Sequence, residues 1–195
     1  MYNKTKTVLF ASMLVAAIVT ISGANTSFAD HTTTLPEWTA DQTYDISSSL
    51  DNVSHASFTP DTDFEDSIDV WNNVSTSWFD WTRNDSTGHV DVGSHSFGWF
   101  NTSLAETSMS WYASTNTMID APIEFNSDKD FRDVNVSQGW WSYDFESVAV
   151  HEIGHASGIV DHTTTDSSPM QATLATNTVD RTLNSHDIST IGGMY

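Results

Sequence analysis

The residues best equipped for chemistry are His151-Glu152-Ile153-Gly154-His155. Positions four apart share one face of a helix, so the imidazoles of His151 and His155 can grip one metal ion. Neutral imidazole suits zinc, and two nitrogen ligands leave room for a third ligand and a water. Glu152, one step around the helix, is placed to take a proton from that water. The composition predicts about 0.01 chance occurrences of this pattern in the chain, so two unrelated helical histidines are a poor account of it. Gly158 stands three residues past His155, and Asp161-His162 follow. A helix that stops at the glycine lets the chain swing back and offer a third ligand, Asp161 or His162. A third ligand from a later glutamate is excluded, because no Glu follows Glu152. The chemistry of such a set is metal-assisted hydrolysis, with Glu152 as general base.

Residues 151–161 (HEIGHASGIVD), followed by Met170 in a Ser-Pro-Met-Gln turn, resemble the signature of the metzincin zinc metalloproteases. Residues 70–75, 121–126, 143–150 and 183–191 look most like the matrixin-like catalytic domains of that clan. The resemblance implies an α+β (α/β-like) fold: a five-stranded mixed sheet, about three helices, and a cleft between two subdomains. It implies a secreted zinc endopeptidase with one catalytic zinc on His151, His155 and a third residue. Most matrixins have histidine there. The standard register here gives Asp161, as in snapalysin-like proteases, while a one-residue insertion would give His162. Met170 is implied as an apolar floor under the metal, and an extended peptide is implied to pair with an edge strand near residues 121–126. With no cysteine, the thiolate latch of matrixin zymogens is missing, and Gln171 replaces the tyrosine many relatives carry after the methionine. His89, Asp91 and His95 resemble part of a second, structural zinc site. The alternative from another class is a non-catalytic zinc-binding surface module on the same fold. Intact Glu152 argues against that, since a structural zinc site has no use for a general base.

The composition narrows the partners. The 6 Lys+Arg against 26 Asp+Glu give a net charge of −20, which repels phosphate backbones and rules out nucleic-acid binding through a basic patch. The absence of Cys removes disulfide scaffolds, zinc fingers and thiol nucleophiles, while 8 Trp, 10 Phe and 5 Tyr mark a folded chain. The resemblance implies protein or peptide substrates, and the protein is expected to be a monomer. The acidic runs Asp61-Thr62-Asp63-Phe64-Glu65-Asp66 and Asp128-Lys129-Asp130 are candidates for structural calcium, though neither has EF-hand spacing. Lys4 and Lys6 precede an apolar run over residues 8–21, and Ser27-Phe28-Ala29 looks like a cleavage site. Residues 1–29 are therefore expected to be a signal peptide, 30–42 a lead-in and 43–195 the peptidase domain. The run is shorter than the roughly 20 residues a bilayer requires, so a membrane is a partner only if the leader is retained.

The periodicities that must position the site are plain. Residues 43–50 predict an opening strand. Phe64, Ile68, Trp71, Val74, Trp78 and Trp81 predict one helix face, capped by Asp61 or Thr62. Residues 84–88 predict a turn, and a strand follows from His89. Residues 104–113 and 118–126 predict a hairpin. Residues 145–157 predict the metal-binding helix with Asp144 as cap, and 184–194 a final helix.

Overall fold

A computed structural model describes residues 7–8, 36–53, 57–98, 100–159 and 168–195. Its centre is a mixed five-stranded sheet in the order β3-β2-β4-β8-β5. Gln42–Ile46 (β2), Trp81–Arg83 (β3), Val90–His95 (β4) and Ile123–Asn126 (β8) run parallel, and Ala105–Thr107 (β5) closes one edge antiparallel to β8. Ser110–Tyr112 (β6) and Thr117–Asp120 (β7) form an antiparallel hairpin, against which Thr7–Val8 (β1) also pairs. Asp130–Arg132 (β9) and Ser142–Asp144 (β10) make a small parallel pair leading into the second helix. Among the described residues the helices are Pro60–Asn72 (α1), Phe145–Ala156 (α2) and Ser185–Met194 (α3). None is long and apolar enough to cross a membrane. The architecture is α+β, as expected.

Several local expectations are corrected. The opening strand stops at Ile46, because the serines after it turn the chain into a 3-10 segment, Ser48–Asn52, in which the Ser49 amide donates to the Ser47 hydroxyl. Helix α1 buries Phe64, Ile68 and Trp71 as its period predicts, but it ends at Asn72. Asn73 bonds its side chain back to the Asp69 carbonyl, and Asn72 grips both N and O of Trp81, which lies in β3. Trp78 is 54% exposed. The helix starts at Pro60, one residue before the expected caps, since proline is preorganised for the first helical position. The expected hairpin is split on both arms. Pro122 has no N–H to donate, so 118–126 breaks at Ala121-Pro122 into β7 and β8. The free edge is therefore not near 121–126. Strand β8 is paired on both sides, by β4 and β5, and the sheet ends on that side with Ala105–Thr107.

Helix α2 is buried along its length except at Glu146. Its N-terminus is capped as predicted: the Asp144 carboxylate accepts from the Ser147 amide at 3.1 Å. Its last carbonyls lack helical partners, and buried aromatic donors supply them. Trp38 Nε1 donates to Ala156 O at 2.8 Å, and Tyr195 Oη donates to Ser157 O at 2.9 Å. Gly158 then adopts φ +103°, its amide bonding His155 O while the Ile159 amide bonds Gly154 O. That pair of bonds is a Schellman exit, which needs a left-handed residue. A side chain at Gly158 would also collide with the Pro36 carbonyl oxygen. Gly158→Ala is expected to cost about 1–3 kcal/mol of stability. Urea unfolding reads it, and an unchanged midpoint would count against this account of the turn.

Candidate active site

Helix α2 sets His151 and His155 one turn apart, 5% and 1% exposed. Their Nε2 atoms approach to 3.1 Å. The Nδ1 of His151 meets Pro169 O at 2.5 Å, and the Nδ1 of His155 meets Ile159 O at 2.5 Å. A carbonyl only accepts, so each Nδ1 holds the ring proton and each Nε2 presents its electron pair. Two electron pairs aimed at a common point suit a cation held between them, and backbone carbonyls behind ligating imidazoles are the usual orienting partners. The Gly158 exit is what brings Ile159 O to His155.

Glu152 is fully buried beside this pair. Its Oε2 accepts from Thr107 Oγ1 at 2.6 Å, while Oε1 has no hydrogen-bond partner. Burial pushes its carboxyl up to about 7, against the pull of the Thr107 hydroxyl, and Glu106 adds a smaller push. A buried carboxylate oxygen left open beside two oriented imidazoles fits a metal-and-water site. His151 and Glu152 also line a cavity of about 20 Å³ with Leu104, Val148, Pro169 and Leu174. It has room for about one water.

Met170 lies under the helix, 2% exposed, packed on Gly154 so closely that a Cβ there would overlap its sulfur. Its amide donates to Ser168 Oγ at 3.0 Å, and Ser168 Oγ donates to Asp187 Oδ1 at 2.8 Å. Asp187 in turn completes a capping box with Asn184 at the start of α3. Asp161 and His162, the alternative third ligands, lie outside the described residues, as do His31, His55 and nearly all of the expected leader.

The other candidate residues scatter. His89 Nε2 meets Ile119 O at 2.5 Å and His95 Nδ1 faces Glu124 at 3.3 Å, while Asp91 stands opposite Asp45 of the neighbouring strand. The three are not brought to one point, because neighbouring strands offer each a separate partner. Of the acidic runs, Asp61 and Glu65 bind Arg83, Asp130 binds Arg132, and Asp128 accepts from Ser96 and Gly98. Asp63 and Asp66 instead approach Glu146 of α2, with carboxylate oxygens within 4.8 Å. Acidic groups of this kind are common without an ion, and Glu146 is already paired with Arg181.

Residues 37–195 match the family model for the matrixins, peptidase family M10. The chain belongs to the matrixin family. It carries a zinc metalloprotease-type domain, for which zinc is the usual metal and proteins or peptides are the substrate class. No curated protein matches the chain.

Two features of this matrixin domain escaped the sequence. Thr107 sits 45 positions from Glu152, in a run legible only as strand. Arg181 bonds both carboxylate oxygens of Asp144, at 2.5 and 2.7 Å, and Asp133 at 2.8 Å. Its signal was scarcity: only three arginines occur among 26 acids. Burial pushes the Asp144 carboxyl up, but the hydrogen bonds from Arg181 and Ser147 outweigh it and hold the group below the usual carboxylate range. A depressed folded pKa stabilises above the unfolded value and is lost as pH falls through the folded one. Asp144→Asn is therefore expected to cost about 3 kcal/mol near neutrality, with the gap to wild type closing as pH drops below about 4. Urea unfolding across pH checks this; a gap independent of pH would overturn it.

Proposed function

We propose that this matrixin is a secreted zinc endopeptidase, acting as a monomer on extended peptide substrates. The observation that carries the reading is the pair of oriented Nε2 atoms beside the open Oε1 of Glu152. Secretion rests on the leader layout of residues 1–29. His151 and His155 would hold the metal with Asp161, or with His162 if the chain gains a residue in that turn. Zinc, when bound, supplies a more acidic water and a polarised carbonyl.

The chain's own residues account for the remainder. Glu152 Oε1 takes the proton of the attacking water as its oxygen bonds the scissile carbon. The proton then passes from Glu152 to the amine nitrogen as the C–N bond breaks. Burial raises that carboxyl, which helps it hold the proton between the two halves of the transfer. Strand β5 offers the docking edge. Leu104 O and Ser108 N bond inward toward Asn126 and Pro122. Strand alternation then turns the backbone groups of Ala105 and Thr107 away from β8, the side on which an extended peptide would add as another strand.

Glu152→Gln is expected to retain zinc and lose nearly all casein hydrolysis, read as metal content against turnover. A fully active mutant would remove Glu152 from the mechanism. Wild-type turnover should vanish with a chelator and return with zinc. A folded, zinc-loaded wild type without turnover would favour the non-catalytic module.

A further inference from the structure

The Glu152 carboxylate is asymmetric. One oxygen is bound and the other is open, though both are buried. The bound one is held by Thr107 Oγ1, which also lies 3.2 Å from the Glu152 backbone carbonyl. Thr107 is itself buried, 1% exposed, and is the last residue of the edge strand β5. Hydrogen bonds to ionised acceptors are short and directional, so this contact sets the rotation of the carboxylate plane. A carboxylate free to rotate inside the core would present either oxygen, or neither, to a reacting water.

We infer that Thr107 is a positioning residue: its hydroxyl pins Glu152 Oε2 so that Oε1 alone faces the water, tying the general base to the strand on which substrate docks. The inference rests on the peptidase reading above. Thr107 touches neither water nor peptide through its side chain; it acts through Glu152. Because Thr107 ends the docking strand, any shift of β5 on peptide binding is passed to the base through one hydrogen bond. A misplacement of about 1 Å in such a constellation is enough for roughly a hundredfold loss of rate.

Four variants test it: Thr107→Val, which keeps the shape and removes the donor, Thr107→Ser, which keeps the donor, Glu152→Ala, and Thr107→Val combined with Glu152→Ala. Thr107→Val is expected to lower kcat on a peptide substrate about ten- to a hundredfold, with KM within about twofold and zinc stoichiometry unchanged. Thr107→Ser should recover kcat to within about threefold of wild type. Full kcat in the valine variant, or a serine variant no better than valine, overturns the inference, as does a loss appearing only in KM. A second measurement needs no turnover. The urea midpoint should fall further when Thr107→Val is made in wild type than when it is made on Glu152→Ala, where the hydroxyl keeps only the backbone carbonyl of residue 152 as acceptor. Equal shifts in both backgrounds would show that the two side chains are not coupled, which sinks Thr107 alone. Absence of hydrolysis by the zinc-loaded wild type sinks the peptidase reading instead, and the midpoints still report on the contact.

Discussion

A helix buried on every side except at Glu146 leaves its polar side chains little access to bulk water, and α2 carries two imidazoles and a carboxylate into that setting. Each must find a partner from protein or lose about 1–3 kcal/mol. The partners come from three separate stretches: Pro169 O from the methionine turn, Ile159 O from the helix's own exit, and Thr107 Oγ1 from the edge strand. The site is thus a property of the assembled domain. A 12-residue helix alone would be marginal in water, and nothing within it aims its ring nitrogens.

The same constraint explains the floor. Gly154 and Met170 are in such close contact that neither tolerates an added atom on the glycine. Trp71 fills the adjoining space and donates its indole N–H to Val150 O at 2.8 Å. On the far side, Ser168 and Asp187 tie the methionine turn to the start of α3. Helix α3 therefore supports α2 through the turn. Packed interiors transmit displacement because they hold few voids, so the position of Pro169 O behind His151 depends on this chain of contacts.

Legibility in the sequence followed locality. His151, Glu152 and His155 lie within about one helical turn, and their proximity was readable because helix geometry converts spacing into closeness. The Asp144 cap, the Gly158 exit and the final helix were readable for the same reason, each resting on signals within a few residues. The overrun of α1 shows where this fails: Trp78 and Trp81 keep helical spacing, but side-chain amides at Asn72 and Asn73 end the helix first. The misplaced docking edge is a failure of a different kind. Which of β5 and β8 is outermost depends on strand order, and strand order leaves no trace in either segment's own pattern. Thr107 and Arg181 belong to that second class, as contacts made across 45 and 37 positions.

An acidic chain without disulfides must also withstand its own repulsion, and the few cations are deployed against it. Arg83 gathers Asp61, Glu65 and Asp85 on the surface, where pairs contribute little and salt screens them. Arg181 is different: one partner, Asp144, has no exposed side-chain surface, and that partner is the cap of the metal-binding helix. Screening reaches a buried pair poorly, so salt that weakens the Arg83 cluster leaves this one in force. Salt also relieves the repulsion among the remaining carboxylates. The arrangement favours a fold that keeps α2 anchored as ionic strength rises, with the surface pairs giving way first and the buried one last.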